Sequence, residues 1–130
     1  MKKFVIAASL IFSQTCNADD WKKIADGSSN LFINTKTIKT IDIYGESHIQ
    51  AWAKVKHESP REFEKKKFNE VSTLYIVNCE KLQFAFKSIT FRLNDTIVSS
   101  ANYQDFELEF MPVEPDTNGE LFSREVCESN

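Results

Sequence analysis

The sequence predicts an α+β domain: a curved antiparallel sheet of about six strands with a C-terminal helix tethered to one face by a disulfide. Three observations carry that reading. Apolar residues recur with period two through most of residues 31–103. The clearest helix-start signal, Thr117-x-x-Glu120, comes after the last strand-like stretch. Two cysteines, Cys79 and Cys127, remain once a leader segment is set aside.

The leader comes first. Met1-Lys2-Lys3 is a positive start, residues 4–12 (FVIAASLIF) are an apolar core, and Cys16-Asn17-Ala18 offers a small-x-small cleavage site. The apolar run is far shorter than the roughly 20 residues of a spanning helix. Residues 1–18 therefore read as a signal peptide that is removed, and 19–130 as one exported domain with no transmembrane segment. Lipidation at Cys16 is the lesser alternative. Ser13 and Thr15 stand where a lipoprotein signal usually has an aliphatic and a small residue. Removing Lys2 and Lys3 with the leader takes the formal charge from −3 to −5 and leaves 112 residues, an ordinary domain size. An even cysteine count in an exported chain implies a Cys79–Cys127 bridge. Closing a loop of about 49 residues stabilises a fold by about 4 kcal/mol in the chain-entropy model.

The elements follow in order. Residues 21–24 and 31–34 are short strands around the turn-like Asp26-Gly27-Ser28-Ser29-Asn30. Residues 37–43 alternate, with Ile41 and Ile43 on one side. Residues 48–56 alternate more clearly: Ile49, Ala51, Ala53 and Val55 share one face, and Gln50, Trp52, Lys54 and Lys56 the other. A charged segment, 58–67, interrupts the pattern. Strand character resumes over 71–79. In the aromatic stretch 82–93, Leu82, Phe84 and Phe86 are one step out of phase with Ile89, Phe91 and Leu93. A β-bulge near Lys87-Ser88 repairs that phase. Asn94-Asp95 is a hairpin tip, and 96–103 is the returning strand. Pro112 and Pro115 end the sheet pattern, and a helix over 120–127 presents Leu121, Phe122 and Val126 for burial.

Signals for catalysis are sparse. His48 and His57 flank one strand without a second ligand pair at metal spacing, and read as exposed strand-end residues. Bonded cysteines supply no nucleophile, and no Gly-rich phosphate loop occurs. These features point away from an enzyme, a cofactor or a metal, although a site dispersed over several strands would leave no local signature. Alternating Phe84, Phe86 and Phe91 read as core, so nucleic acid is not an expected partner. Charge is asymmetric: residues 95–130 hold nine acidic residues against Arg124 alone. The basic excess gathers at Lys54, Lys56, Arg61, Lys65, Lys66 and Lys67, the expected surface for a protein or an anionic glycan.

In its order of motifs the chain resembles the bacterial surface-adhesin protein E-like domain family. Asn78-Cys79, a hairpin, Phe110-Met111-Pro112, Pro115, Glu120-Leu121 and Val126-Cys127 carry the resemblance in the C-terminal half. Trp21, Leu31-Phe32-Ile33-Asn34, Thr37-Ile38 and the strand around Trp52 carry it in the N-terminal half. Asn78 and Phe110 stand where the family pattern has Asp and Trp. The resemblance implies a sheet of about six antiparallel strands, with the helix bridged to its concave side through Cys79 and Cys127. It also implies a Gram-negative source and adhesion to host matrix proteins such as vitronectin and laminin. The expectation is a non-enzymatic binding module of the cell envelope, in the periplasm or on the outer surface, where an exposed sheet edge could pair two copies weakly. The alternative is a soluble periplasmic inhibitor or immunity-type protein acting on a cell-wall-directed enzyme.

Overall fold

A computed structural model describes residues 20–128; the expected leader, Cys16 included, lies outside the described residues. The elements in order are β1 (Trp21–Ala25), β2 (Ser29–Asn34), β3 (Lys39–Ile43), β4 (Glu46–Phe63), β5 (Lys66–Asn78), β6 (Gln83–Leu93), β7 (Thr96–Asn102), β8 (Met111–Pro112) and the helix α1 (Asn118–Glu128). All the strand pairs are antiparallel, and the sheet is open, with the path β1-β2-β4-β5-β6-β7. Those six strands match the number expected. Two short strands join at its margins, β3 beside β4 and β8 beside β6.

The long central strands explain this arrangement. β4 is long enough for two partners on one edge: β2 pairs with residues 53–57 and β3 with residues 46–50. In the gap between them, the Trp52 N–H donates to Thr37 Oγ1 at 3.0 Å, so that donor is satisfied by a side chain. β6 repeats the device, with β7 and β8 on successive parts of its outer edge. The bulge expected near Lys87-Ser88 is present: Leu74 pairs with Ser88 and Tyr75 with Phe86, leaving Lys87 unpaired in the ladder. Three hairpins turn on residue pairs with positive φ, Tyr44-Gly45, Glu64-Lys65 and Asn94-Asp95, the conformation tight hairpins favour.

One face of the sheet carries the main core. Leu31, Ile33, Ile49, Ala51, Ala53, Tyr75 and Val77 bury against Phe122 and Val126 of α1. The small Ala51 and Ala53 lie on β4, a strand in contact with α1, and leave room for the helix. Gly119 does the same at the helix start, where an added Cβ would stand 3.0 Å from the Phe84 ring. Thr117 Oγ1 accepts from the Glu120 N–H at 3.2 Å, and the Glu120 carboxylate accepts from the Asp116 N–H at 2.9 Å. That reciprocal cap starts the helix two residues earlier than expected. Cys79, just past β5, is bonded to Cys127 with Cα atoms 5.8 Å apart, which holds the helix to the sheet.

Two expectations are corrected. The charged segment does not interrupt the strands. β4 runs on to Phe63 and β5 begins at Lys66, forming a two-stranded arm. Nor is either histidine an exposed strand-end residue. His48 is buried and His57 half-buried, because aromatic rings cover both: Phe110 lies 5.3 Å from His48, and Phe68 lies 5.7 Å from His57.

Candidate binding surfaces

The arm is built from the part of the β4–β5 hairpin that outruns its neighbours. β2 pairing ends at His57, and β6 pairing ends with Arg92 opposite Glu70. Beyond those points Arg61, Glu62 and Phe63 pair only with Phe68, Lys67 and Lys66. At the base, residues 57–60 of β4 stand against Asn69 alone, a wide bulge that takes in Pro60. An aromatic stack braces the arm: Phe63 lies parallel to Phe91 at 5.3 Å, and Phe68 meets Phe91 edge-on at 4.9 Å. At the base Ser29 Oγ accepts from Arg61 Nη2 at 3.1 Å and contacts His57 Nδ1 at 2.7 Å. Burial, then the Arg61 charge, lowers the His57 pKa, which suits a neutral ring accepting the Ser29 proton.

The six cations singled out in the sequence do not form one patch. Lys65, Lys66 and Lys67 are exposed together at the arm's tip, with Arg61 further down it. Lys66 Nζ also donates to the Val98 carbonyl at 3.4 Å. Lys54 and Lys56 instead point from the sheet face away from α1. Lys54 Nζ sits 4.1 Å from the Trp21 ring centroid and 5.8 Å from that of Phe32, and its pKa is lowered mainly by burial. Lys56 stands opposite Glu70, which lies 3.9 Å from Arg92. The aromatic lining around Lys54 was not apparent in the sequence, because Trp21, Phe32 and Lys54 come from three strands joined only by register.

A cleft of about 640 Å³ lies at the disulfide end, lined in part by Glu46, His48, Asn78 and Lys81. Its polar groups are engaged with each other. Glu46 accepts from Lys81 at 3.2 Å and from Asn78 at 3.1 Å, and the Lys81 contact holds its carboxyl below the usual range. The His48 Nδ1 lies 2.9 Å from the Glu46 carbonyl oxygen. Among the described residues no group of His, Cys, Asp and Glu side chains is placed to hold a metal ion. No described helix is long and apolar enough to cross a membrane.

Solved structures share this fold. Haemophilus influenzae protein E, in its crystal form II, superposes with a TM-score of 0.58 at 13% identity, covering 85% of this chain and 89% of that one. Protein E from non-typeable Haemophilus influenzae gives 0.55 at 16% identity, covering 85% and 76%. No family model matches the sequence, and no curated protein matches it. At these identities the likeness is one of fold, and it agrees with the architecture the sequence motifs implied.

Proposed function

We propose that this chain is an exported, non-enzymatic binding module of the bacterial cell envelope that engages a partner through the β4–β5 arm. The arm carries the reading. It continues two strands past the ends of β2 and β6 pairing, braces them with Phe63, Phe68 and Phe91, and presents exposed Lys65, Lys66 and Lys67 at its tip. Three adjacent cations on a braced support suit an acidic protein surface or an anionic glycan. The leader-like residues 1–18 support export, and the resemblance of the sequence motifs to the surface-adhesin protein E-like family supports a binding role over catalysis. Host matrix proteins are the partner we propose for a surface location. β7 runs along the outside of the sheet path, and residues 96–102 include no charged side chain, which supports weak pairing of two copies along that edge.

Protease shaving of intact cells, blotted against a periplasmic control, tests the location. Loss of this protein while the control survives places it on the surface. Binding to immobilised matrix protein should then weaken, and lose much of its salt dependence, in the Lys65→Ser, Lys66→Ser, Lys67→Ser variant. Unchanged affinity rejects the arm as the contact.

A second reading has its own observation. Glu107, Glu109 and Glu114 are exposed along the segment before α1, an acidic margin suited to a basic enzyme cleft. Protection from shaving, with stoichiometric inhibition of a lysozyme-like enzyme, selects a periplasmic inhibitor.

A further inference from the structure

Both tryptophans of the chain, Trp21 and Trp52, lie on the sheet face turned away from α1. Register sets their surroundings. Lys23, Phe32, Lys54, Ser72, Thr90 and Ser100 stand directly opposite one another in turn, a single row across the six-stranded path. Side-chain contacts confirm the shared face: Lys23 Nζ lies 6.0 Å and Lys54 Nζ 5.8 Å from the Phe32 centroid, and Lys54 Nζ lies 4.1 Å from that of Trp21. Trp21, Phe32, Trp52 and Lys54 are all half-buried, so each keeps part of its surface open to solvent.

We infer that this face binds a sulfated polysaccharide laid across the strands along the Lys23–Ser100 row. Pyranose rings stack on Trp21, Phe32 and Trp52, and sulfates are held by Lys23, Lys54 and Arg92. The inference rests on the reading of this chain as a binding module, and it places a second contact surface apart from the arm tip. Four features support it.

First, neighbouring strands lie about 4.8 Å apart, so the row offers one side chain at intervals close to the length of a sugar ring. Second, the negative π-face of an aromatic ring attracts the polarised C–H bonds on the apolar face of a sugar, while Thr90 and Ser100 can exchange hydrogen bonds with its hydroxyls and Ser72, which accepts from Arg92 Nη1 at 3.1 Å, can donate to one. Third, the charge is complementary. In this row and the next, Lys23, Lys54, Lys56 and Arg92 face one carboxylate, Glu70. The acidic helix residues lie on the other side of the sheet, where Glu125 pairs with Lys22. Fourth, Lys54 Nζ sits against the Trp21 and Phe32 rings, where burial together with the Lys56 and Arg92 charges outweighs Glu70 in disfavouring its charged form, and an arriving sulfate offsets that. Two other occupants fit less well. Backbone groups in the middle of a sheet are already paired, so an added protein strand finds no ladder here. Half-buried rings that share their row with Ser72, Thr90 and Ser100 offer no continuous apolar face to a lipid surface.

The test titrates the purified protein with a size-defined heparin oligosaccharide while following tryptophan emission. Both reporters lie in the face, so saturable binding should change the signal. Trp21→Ala and Lys54→Gln should each weaken binding about tenfold, equivalent to about 1.4 kcal/mol. The triple arm-tip variant should bind as the parent does, and the fully desulfated oligosaccharide should not bind. Loss of binding in the tip variant, with both face variants unaffected, assigns the glycan to the arm and overturns the inference. Equal affinity for dextran sulfate, with no effect of Trp21→Ala, reduces the contact to bare charge and also overturns it. An absence of any binding rejects this surface, while the arm reading still stands or falls on its own matrix-protein assay.

Discussion

Tyr75 stands where α1, β5 and β6 meet. Its ring lies 4.3 Å from that of Phe122, 5.3 Å from Phe86 and 5.8 Å from Phe84, and burial pushes its phenol pKa up to about 12. The fold therefore favours the protonated phenol. That contribution is complete below the ordinary value of 10 and is lost as pH rises from there towards about 12. Unfolding free energy should fall by about 1.4 kcal/mol per pH unit over that window. Urea melts at stepped alkaline pH should show this slope in the parent and its absence in Tyr75→Phe. At this scale the sequence is informative about single strands: the alternation of Ile49, Ala51, Ala53 and Val55 assigns the inward face of β4 by itself. It is silent about Lys54 lying over Trp21, because that contact exists only once β1, β2 and β4 are in register.

Among the elements, the arm shows why local rules gave the wrong expectation. Charged residues and proline are depleted from strands because most strands have neighbours to pack and pair with. The β4–β5 extension has no flanking strand, so its lysines and glutamates stay hydrated. Pro60 falls in the bulge, where no ladder donor is missed. The compensating stack includes Phe91, which is supplied by β6 from outside the charged segment. The helix was easier to read, since Thr117, Glu120, Phe122 and Val126 carry local signals. Its depth on the sheet was not, because it depends on Gly119 meeting Phe84. Gly119→Val should force those two apart and cost about 1–3 kcal/mol by overpacking, seen as a lower midpoint in urea. An unchanged midpoint would mean that the helix end shifts freely.

For the whole molecule, the sheet supplies a scaffold with two different sides. One is capped by α1, and the other leaves aromatic and basic side chains partly open. The acidic helix residues Glu120 and Glu125 lie on one side of the sheet and the row with Lys23 and Lys54 on the other, a placement the sequence could not give. Covalent closure acts at this scale too, because Cys79–Cys127 encloses β6, β7, β8 and most of α1. A Cys79→Ser, Cys127→Ser variant should lose about 4 kcal/mol, read from urea melts in which the parent treated with reductant approaches the same curve. A loss below about 1 kcal/mol would mean that helix packing alone holds the domain shut.

The position of that bridge also orders events in time. Cys127 follows every strand, so a chain emerging N-terminus first presents Cys79 as a waiting thiol while the whole sheet assembles. Closure then comes last, and an oxidant meeting an early intermediate has no native partner to join. Maturation of this domain should accordingly be paced by arrival of its final helix, with the finished sheet acting as the template that brings the two sulfurs together.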